Sequence, residues 1–312
     1  YWGIQPKGGW VSINRFKLKL ISPAFIAGSD KTAPEMRASS VRGQLRYWLR
    51  AIIGAKSTDL AKLRELESTI FGSTAQGSAV SVRVYRDNPA KIGEFAMLPH
   101  RMNEGRRMAS HQVALNAGQL WDLELVTRPG VPMSGEALDA LLVWSLLGGI
   151  GRRSRRMFGA VEIMPKADEG IDWYHLPQSP DDFVTILKGL LGKIANGQAY
   201  SSIPNFPTLN PAHAWVMVCK ERFDNQEDAL VALFKLLRSD EFRLKQDTFG
   251  GISPRRSSPL IAQVRRVGKD NYYPILTAMR SKPDSKIDWV HLKKLMDKAG
   301  QIFNGETVWG GW

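Results

Sequence analysis

Segments with strand and helix periodicity follow one another in a defined order through the first half of the chain. Apolar residues alternate with basic or polar ones in residues 14–21 (NRFKLKLI), which indicates a strand with one buried face, and residues 41–53 carry apolar residues at helical spacing. Two strand-like segments, a helical segment and a closing strand then follow at residues 80–85, 120–127, 135–147 and 158–164. This β-α-β-β-α-β order predicts an α+β, ferredoxin-like (RRM-like) domain.

The second half of the chain repeats most of this order. An additional helix is predicted at residues 181–194. It is followed by a strand at residues 214–219, a helix at 227–237, a hairpin of strands 259–267 and 272–279, and a last helix at 287–299. Only residues 307–309 remain for a closing strand. The pattern therefore predicts a second ferredoxin-like domain that is less complete than the first.

The chain of 312 residues is long enough for two domains. We place their boundary near residue 170, which gives domains of residues 1–170 and 171–312. The first domain contains an insertion at residues 93–119 that has little periodicity. A segment of this length without regular structure is usually functional or disordered.

The excess of basic residues indicates which kinds of binding partner suit the chain. The chain has 43 Lys and Arg against 30 Asp and Glu, a net charge of +13, and its pI is about 9.9. Such an excess favours nucleic acid or an anionic surface as the partner. No apolar run approaches the roughly 18–20 residues of a membrane span, and the single cysteine, Cys219, excludes a disulfide framework and a cysteine-based zinc site. We expect no membrane partner.

No signal peptide opens the chain, so we expect a cytoplasmic protein. The first residue is Tyr1 rather than methionine, and we expect the natural chain to start upstream.

Residues 148–159 (GGIGRRSRRMFG) contain four glycines, four arginines and no acidic residue. Glycine lets a ligand approach the main chain closely, and arginine presents a planar, permanently charged group that suits phosphate oxygens. We predict a loop that holds a polyanion backbone through Gly149, Gly151, Arg152, Arg153, Arg155 and Arg156. The alternative role is structural, because a glycine often ends a helix and arginines favour its C-terminal dipole.

The position of this loop excludes a nucleotide-cofactor site. The loop follows a helical segment and precedes a strand, whereas phosphate-binding loops place their glycines after a strand and before a helix. We therefore expect no cofactor, and no grouping of residues indicates a metal site.

Further basic residues extend the predicted binding surface. Arg42, Arg46 and Arg50 recur every four residues on one side of the first predicted helix. No acidic residue lies four positions away, so these charges are expected to be unneutralised locally; the alternative is a solvated helix face. Arg255 and Arg256 form a third basic point, facing either nucleic acid or a neighbouring subunit.

Several of these segments resemble the signature of the CRISPR RAMP proteins. The similar segments, in order along the chain, are residues 28–31 (GSDK), 34–51 (PEMRASSVRGQLRYWLRA), 70–72 (IFG), 148–159 and 256–260 (RSSPL). Within that superfamily the chain resembles the family of first-named subunits of the Cmr (type III-B) effector complex. The resemblance spans most of the chain and is looser in the second domain.

This resemblance implies tandem ferredoxin-like domains and an RNA-binding subunit in antiviral defence. The subunit would contact the guide RNA near its 3′ part, aid the capture of single-stranded target RNA and assemble with other Cmr subunits. It also implies that Lys31 and Arg37, within the matching segments, belong to the RNA-binding residues. The resembled members do not cut RNA; in such complexes target cleavage belongs to the backbone subunit, through an aspartate in the loop after its first strand.

Two residues carry the alternative function, a RAMP-fold, metal-independent endoribonuclease. Asp30 occupies a place analogous to that aspartate, and His111 is the one histidine suited to act as a general base. We expect neither to be catalytic, because Asp30 has no placed histidine partner and His111 lies in the insertion without predicted order. Asp122 and Glu124 share a strand face and are expected to pair with arginines rather than bind a metal. A single-strand RNA-binding module without assembly partners is a third, weaker class.

Overall fold

The structure is a computed structural model, and it describes residues 10–28, 30, 32–97, 111–165, 174–197, 199–243, 245–252, 255–282 and 287–312. The elements of the first half are β1 (Ile13–Leu20), α1 (Ala38–Lys56), α2 (Leu60–Phe71), β2 (Val80–Tyr85), β3 (Ile92–Ala96), β4 (His111–Leu115), β5 (Leu120–Thr127), α3 (Gly135–Leu147) and β6 (Val161–Pro165). The described part of the chain contains no helix that is long and apolar enough to cross a bilayer.

The first sheet has the strand order β2-β5-β1-β6, with every neighbouring pair antiparallel. This is the order of a ferredoxin-like fold, as the sequence pattern predicts. Helices α1 and α3 pack together over one face, and Phe16, Leu18 and Leu20 of β1 point into that core and are fully buried. The alternation in β1 therefore separates an apolar inner face from a basic outer face.

The second half contains α4 (Pro180–Ala195), β7 (Ala214–Cys219), α5 (Gln226–Leu237), α6 (Asp240–Arg243), a 3₁₀ helix (Gln246–Phe249), β8 (Gly251–Ile252), β9 (Arg255–Arg256), β10 (Leu260–Val267), β11 (Asn271–Met279), α7 (Trp289–Ile302) and β12 (Gly305–Gly310). Its sheet has the order β10-β11-β7-β12, which repeats the order of the first sheet. The fold class predicted from the sequence, tandem ferredoxin-like domains, is confirmed.

The second domain is more complete than predicted. Strand β12 spans Gly305–Gly310 and pairs antiparallel with β7, with an irregularity between Thr307 and Trp309. The flanking glycines weaken its strand signal in the sequence. The predicted boundary near residue 170 lies outside the described residues.

Three elements of the first domain, α2, β3 and β4, are absent from the predicted pattern. Helix α2 begins after Asp59, whose carboxylate accepts hydrogen bonds from the backbone N–H groups of Ala61 (2.8 Å) and Lys62 (3.2 Å). Strands β3 and β4 form a two-stranded antiparallel ribbon from the ends of the predicted insertion. Residues 98–110 between them lie outside the described part of the structure.

A buried arginine of the second domain connects the two halves. Arg265 on β10 is 3% exposed, and its guanidinium donates to the carbonyls of Leu146 (2.8 Å), Gly148 and Val161 (3.1 Å) in the first domain. Burial lowers the pKa of Arg265 to about 9, so the side chain remains charged near neutral pH. It thereby pairs the otherwise unsatisfied carbonyls at the C-terminal end of α3.

The chain segment before β7 wraps around α1. Leu209 donates its backbone N–H to the Ala51 carbonyl (3.0 Å), and the Asn210 side chain donates to the Ala55 carbonyl (2.8 Å). Buried side chains of both halves also share one hydrophobic core. The two ferredoxin-like units therefore have an extensive common interface.

Candidate nucleic-acid interface

The glycine- and arginine-rich loop lies between α3 and β6 and packs closely against the segment that follows β1. Gly151 and Gly159 have φ values of +86° and +65°. A Cβ atom on Gly151 would lie 2.7 Å from the carbonyl oxygen of Phe25, and one on Gly159 would lie 1.9 Å from that of Ile150. These two glycines are thus needed for the shape of the loop.

Both domains hold the loop through backbone hydrogen bonds. On one side Arg152 donates to the Phe25 carbonyl (2.8 Å) and Gly159 donates to the Pro23 carbonyl (2.9 Å). On the other side Met157 donates to the carbonyl of Ala262 on β10 (2.9 Å). The loop is therefore fixed at the junction of the two domains, and its conformation depends on both.

The structure separates the four loop arginines into two pairs, and one pair makes structural contacts. The Arg155 guanidinium donates to the Ser258 carbonyl and lies 4.9 Å from the ring centre of Tyr47 on α1. The Arg156 guanidinium donates to the Phe249 carbonyl. Both side chains therefore hold the second domain against the loop.

Arg152 and Arg153 point away from these packing contacts. Arg152 is exposed, and its guanidinium donates to the Gln112 side chain (2.6 Å) on β4. Arg153 is half-buried and has a positive φ of 59°, which is uncommon for a residue with a side chain. These two residues supply the charge of the loop that remains available to a ligand.

The arginine row of α1 is only partly available. Arg46 lies 2.6 Å and Arg50 lies 3.0 Å from the carboxylate of Glu67 on α2, which is 5% exposed. No acidic residue of α1 itself neutralises them, as the local spacing predicts, but Glu67 of another helix does. Arg42 is exposed on the first turns of the helix.

The remaining predicted contact residues fall in different surroundings. Arg37 is exposed just before α1, 3.9 Å from the Glu35 carboxylate. Gly149 is buried, and its carbonyl accepts a hydrogen bond from the Trp144 indole (3.1 Å). The Arg256 guanidinium donates to the Asp247 carbonyl. Lys31 and the side chain of Arg255 lie outside the described part of the structure.

The two residues of the nuclease alternative lie in unlike surroundings. The Asp30 carboxylate accepts hydrogen bonds from the Thr32 hydroxyl (2.6 Å) and the Thr32 backbone N–H (2.8 Å). These hydrogen bonds lower the pKa of Asp30, which disfavours proton transfer near neutral pH. His111 begins β4, pairs with Ala96 on β3 and is exposed.

The carboxylates on the open face of the first sheet are engaged in ion pairs. Asp122 lies 2.8 Å from the Lys17 ammonium, and Glu124 lies 3.1 Å from the Arg15 guanidinium and 3.6 Å from that of Arg83. The predicted pairing with arginines is confirmed for Glu124, and Asp122 pairs with a lysine. The described residues contain no cluster of three or more His, Cys, Asp or Glu that could hold a metal ion.

Several of the sequence segments that resemble the RAMP signature lie around the junction of the two domains. The loop contacts residues 23–26 after β1, α1 through Tyr47, β4 through Gln112, and the second domain through residues 249–262. Residues 26–35 lead from this contact to the start of α1, with the Glu35 N–H donating to the Ile26 carbonyl (3.1 Å). The site thus combines two tandem ferredoxin-like units with a glycine-rich loop of the first unit that contacts both.

Residues 17–162 match the family model of the RAMP superfamily. The whole chain is similar to CRISPR system Cmr subunit Cmr1-1 of Pyrococcus furiosus, with 26% identity over 330 aligned positions that cover 89% of this chain and 92% of the relative. A shorter match to subunit Cmr1-2 of the same organism has 42% identity over 69 residues, 22% of this chain and 37% of the relative. The resemblance seen in the sequence is confirmed.

Solved structures agree with this fold. The apo form of Cmr1 from Pyrococcus furiosus superposes with a TM-score of 0.67 at 22% identity, over 96% of this chain and 100% of that chain. A chain of the type III-B Cmr-β complex bound to cognate target RNA superposes with a TM-score of 0.61 at 15% identity, over 92% of this chain and 99% of that chain. At these identities the superpositions show a common fold.

Proposed function

We propose that this protein is a non-catalytic RNA-binding subunit of a type III-B CRISPR effector complex. It lies near the 3′ part of the guide RNA and aids the capture of single-stranded target RNA, together with other Cmr subunits. The observation that carries the proposal is the exposed charge of Arg152 at the interdomain junction and of Arg42 on the first turns of α1, in a chain with a net charge of +13. Similarity to a Cmr1 subunit over nearly the whole chain supports it.

The chemistry of the junction suits a phosphate chain. Guanidinium groups form strong, charge-assisted hydrogen bonds with phosphate oxygens, and single-stranded nucleic acid is bound by basic tracks along its backbone. Arg155, Arg156, Arg46 and Arg50 have intramolecular partners, so they position the surface. Arg42 and Arg152 are exposed, and the hydrogen bond of Arg152 goes to the uncharged Gln112 side chain, so both charges can meet a ligand.

We expect binding of single-stranded RNA to depend strongly on salt and to weaken when Arg42 and Arg152 are both changed to alanine. On a single strand, log affinity falls with log salt by about 0.7 for each neutralised phosphate. Each lost charge-assisted contact costs about 1.5 kcal/mol or more, so the double variant should bind roughly a hundredfold more weakly. Fluorescence anisotropy with a labelled RNA over a salt series measures both quantities.

The matched control is Lys294→Ala with Lys298→Ala, which removes the same charge from exposed positions of α7. We expect the control to bind nearly as tightly as the unchanged protein. An equal loss of RNA affinity in the two double variants would show that binding depends on the net charge of the protein rather than on the junction. A salt-independent affinity of the unchanged protein would contradict the proposal itself.

We expect Asp30→Ala and His111→Ala to leave RNA cleavage by the assembled complex unchanged. A residue that takes part in general acid–base catalysis typically contributes about 10²–10⁴-fold to the rate, so its loss would be obvious. Single-turnover cleavage of a matched target by complexes containing each variant is the measurement. A rate reduced about a hundredfold with normal RNA affinity would instead favour the endoribonuclease alternative.

The position near the 3′ part of the guide RNA is tested separately. Crosslinks between this subunit and a guide RNA photolabelled at single positions, in the assembled complex, should concentrate in the 3′ part. Crosslinks confined to the 5′ part would place the subunit at the other end.

A further inference from the structure

A cluster of arginines forms where helix α5 of the second domain reaches the loop. Arg152 and Arg153 come from the loop, and Arg238 comes from the C-terminal end of α5. Arg238 is exposed, and neither its spacing nor its surroundings in the sequence mark it as a binding residue. It is the contribution of the second domain to this surface.

Aromatic packing brings Arg238 to the loop. Phe158 of the loop contacts Phe25, with ring centres 4.9 Å apart, and also contacts Phe234 on α5, with ring centres 6.2 Å apart. Arg238 lies one helical turn after Phe234, and its backbone N–H donates to the Phe234 carbonyl (3.1 Å). The end of α5 is therefore held close to the loop.

The like charges of these side chains oppose one another. Burial lowers the pKa of Arg153, and the nearby charges of Arg238 and Arg152 lower it further. Burial also lowers the pKa of Arg156, which lies behind the cluster, to about 10, again with contributions from Arg238 and Arg153. Arginine charges held together in this way favour the binding of an anion between them.

The backbone conformation of Arg153 is a second indication of a binding site. Arg153 has a left-handed φ of 59°, and its side chain makes no hydrogen bond or ion pair within the described ranges of the chain. Residues in such strained conformations cluster at binding sites, where the surrounding structure holds them in place. Here the loop presents a half-buried, charged side chain toward Arg238 without an internal partner for it.

We infer that Arg152, Arg153 and Arg238 form one site for neighbouring phosphates of a single-stranded RNA, spanning the junction of the two domains. The inference rests on the proposed function and extends it by assigning a residue of α5 to the RNA-binding surface. The three side chains offer planar donors to phosphate oxygens, so the site binds the sugar-phosphate backbone without reading the bases.

The test compares Arg238→Ala, Arg238→Lys and the control Lys294→Ala on labelled oligouridylate and oligoadenylate of about 15 nucleotides, close to the site size of single-strand binding modules. Arg238→Ala should lower affinity for both RNAs by about tenfold and reduce the slope of log affinity against log salt by about 0.7. Arg238→Lys should retain part of the affinity, and Lys294→Ala should bind normally. Unchanged thermal unfolding of each variant confirms that the fold is intact.

A measurement on the unchanged protein makes the test independent of folding. Bound oligouridylate should protect Arg238 from modification by phenylglyoxal, with the modified arginines located by peptide mass spectrometry. Equal modification with and without RNA, or an Arg238→Ala variant that binds normally while Arg152→Ala binds weakly, would overturn the inference and leave the proposed function standing. Failure of the unchanged protein to bind RNA, alone and in the assembled complex, would overturn both.

Discussion

Replacing Arg265 by methionine should destabilise the protein by about 3 kcal/mol or more. Methionine fills much of the same volume, but it removes the donors that reach the carbonyls of Leu146, Gly148 and Val161. Each buried carbonyl that loses its partner costs about 1–3 kcal/mol, and the 3% exposure of Arg265 leaves little access for water to replace the side chain. Chemical denaturation followed by tryptophan fluorescence gives the change in the free energy of unfolding.

The control is Lys269→Ala, in the turn of the same hairpin. Lys269 is exposed, and its substitution removes one positive charge without removing a buried donor, so it should change stability by less than about 0.5 kcal/mol. If Arg265→Met lowers the free energy of unfolding no more than Lys269→Ala does, the three hydrogen bonds do not hold the domains together.

Gly159→Ala is the second substitution with a large expected effect. The added Cβ would lie 1.9 Å from the Ile150 carbonyl oxygen, at a backbone φ of +65°. Steric overlap and left-handed backbone together cost about 4 kcal/mol, and relief of the overlap must move apart the two ends of the loop, which the Ile150 N–H joins to the Gly159 carbonyl. We expect a lower melting temperature together with weaker RNA binding.

Gly118→Ala separates the two contributions. Gly118 has a φ of +82°, but an added Cβ would meet nothing within 4 Å. Its alanine variant therefore reports the backbone cost alone, about 1–2 kcal/mol. Thermal unfolding of both variants gives their melting temperatures. Equal decreases in the two variants would mean that the loop accommodates a side chain at residue 159.

Periodicity predicts the elements of both domains well where a local signal supports it. Strand β5, helix α3 and strand β7 have the predicted bounds, and Ser134 marks the start of α3 by capping the Ala137 N–H. Helix α1 extends at both ends beyond the predicted residues 41–53. Helix α2 was missed, although Asp59 provides a start signal for it.

The pairing of the candidate site residues could not be predicted because it is long-range. Glu67 neutralises Arg46 and Arg50 from 21 and 17 residues away on another helix, whereas local spacing within α1 shows no acid. Arg155 meets a carbonyl of Ser258, in the second domain. Composition therefore identifies a basic surface, and only the fold separates arginines that hold the structure from those left for a ligand.

The contact between the loop and the segment before β10 depends on residues that are synthesised much later than the loop. Ser258, which receives the Arg155 guanidinium, follows it by 103 residues, so the ribosome adds it long after the loop has been synthesised. Domains of a nascent chain generally fold in order from the N-terminus, so we expect the first domain to fold before Ser258 is available to the loop. The surface around Arg152 and Arg153 is therefore complete only after residue 258 and the start of β10 have been synthesised.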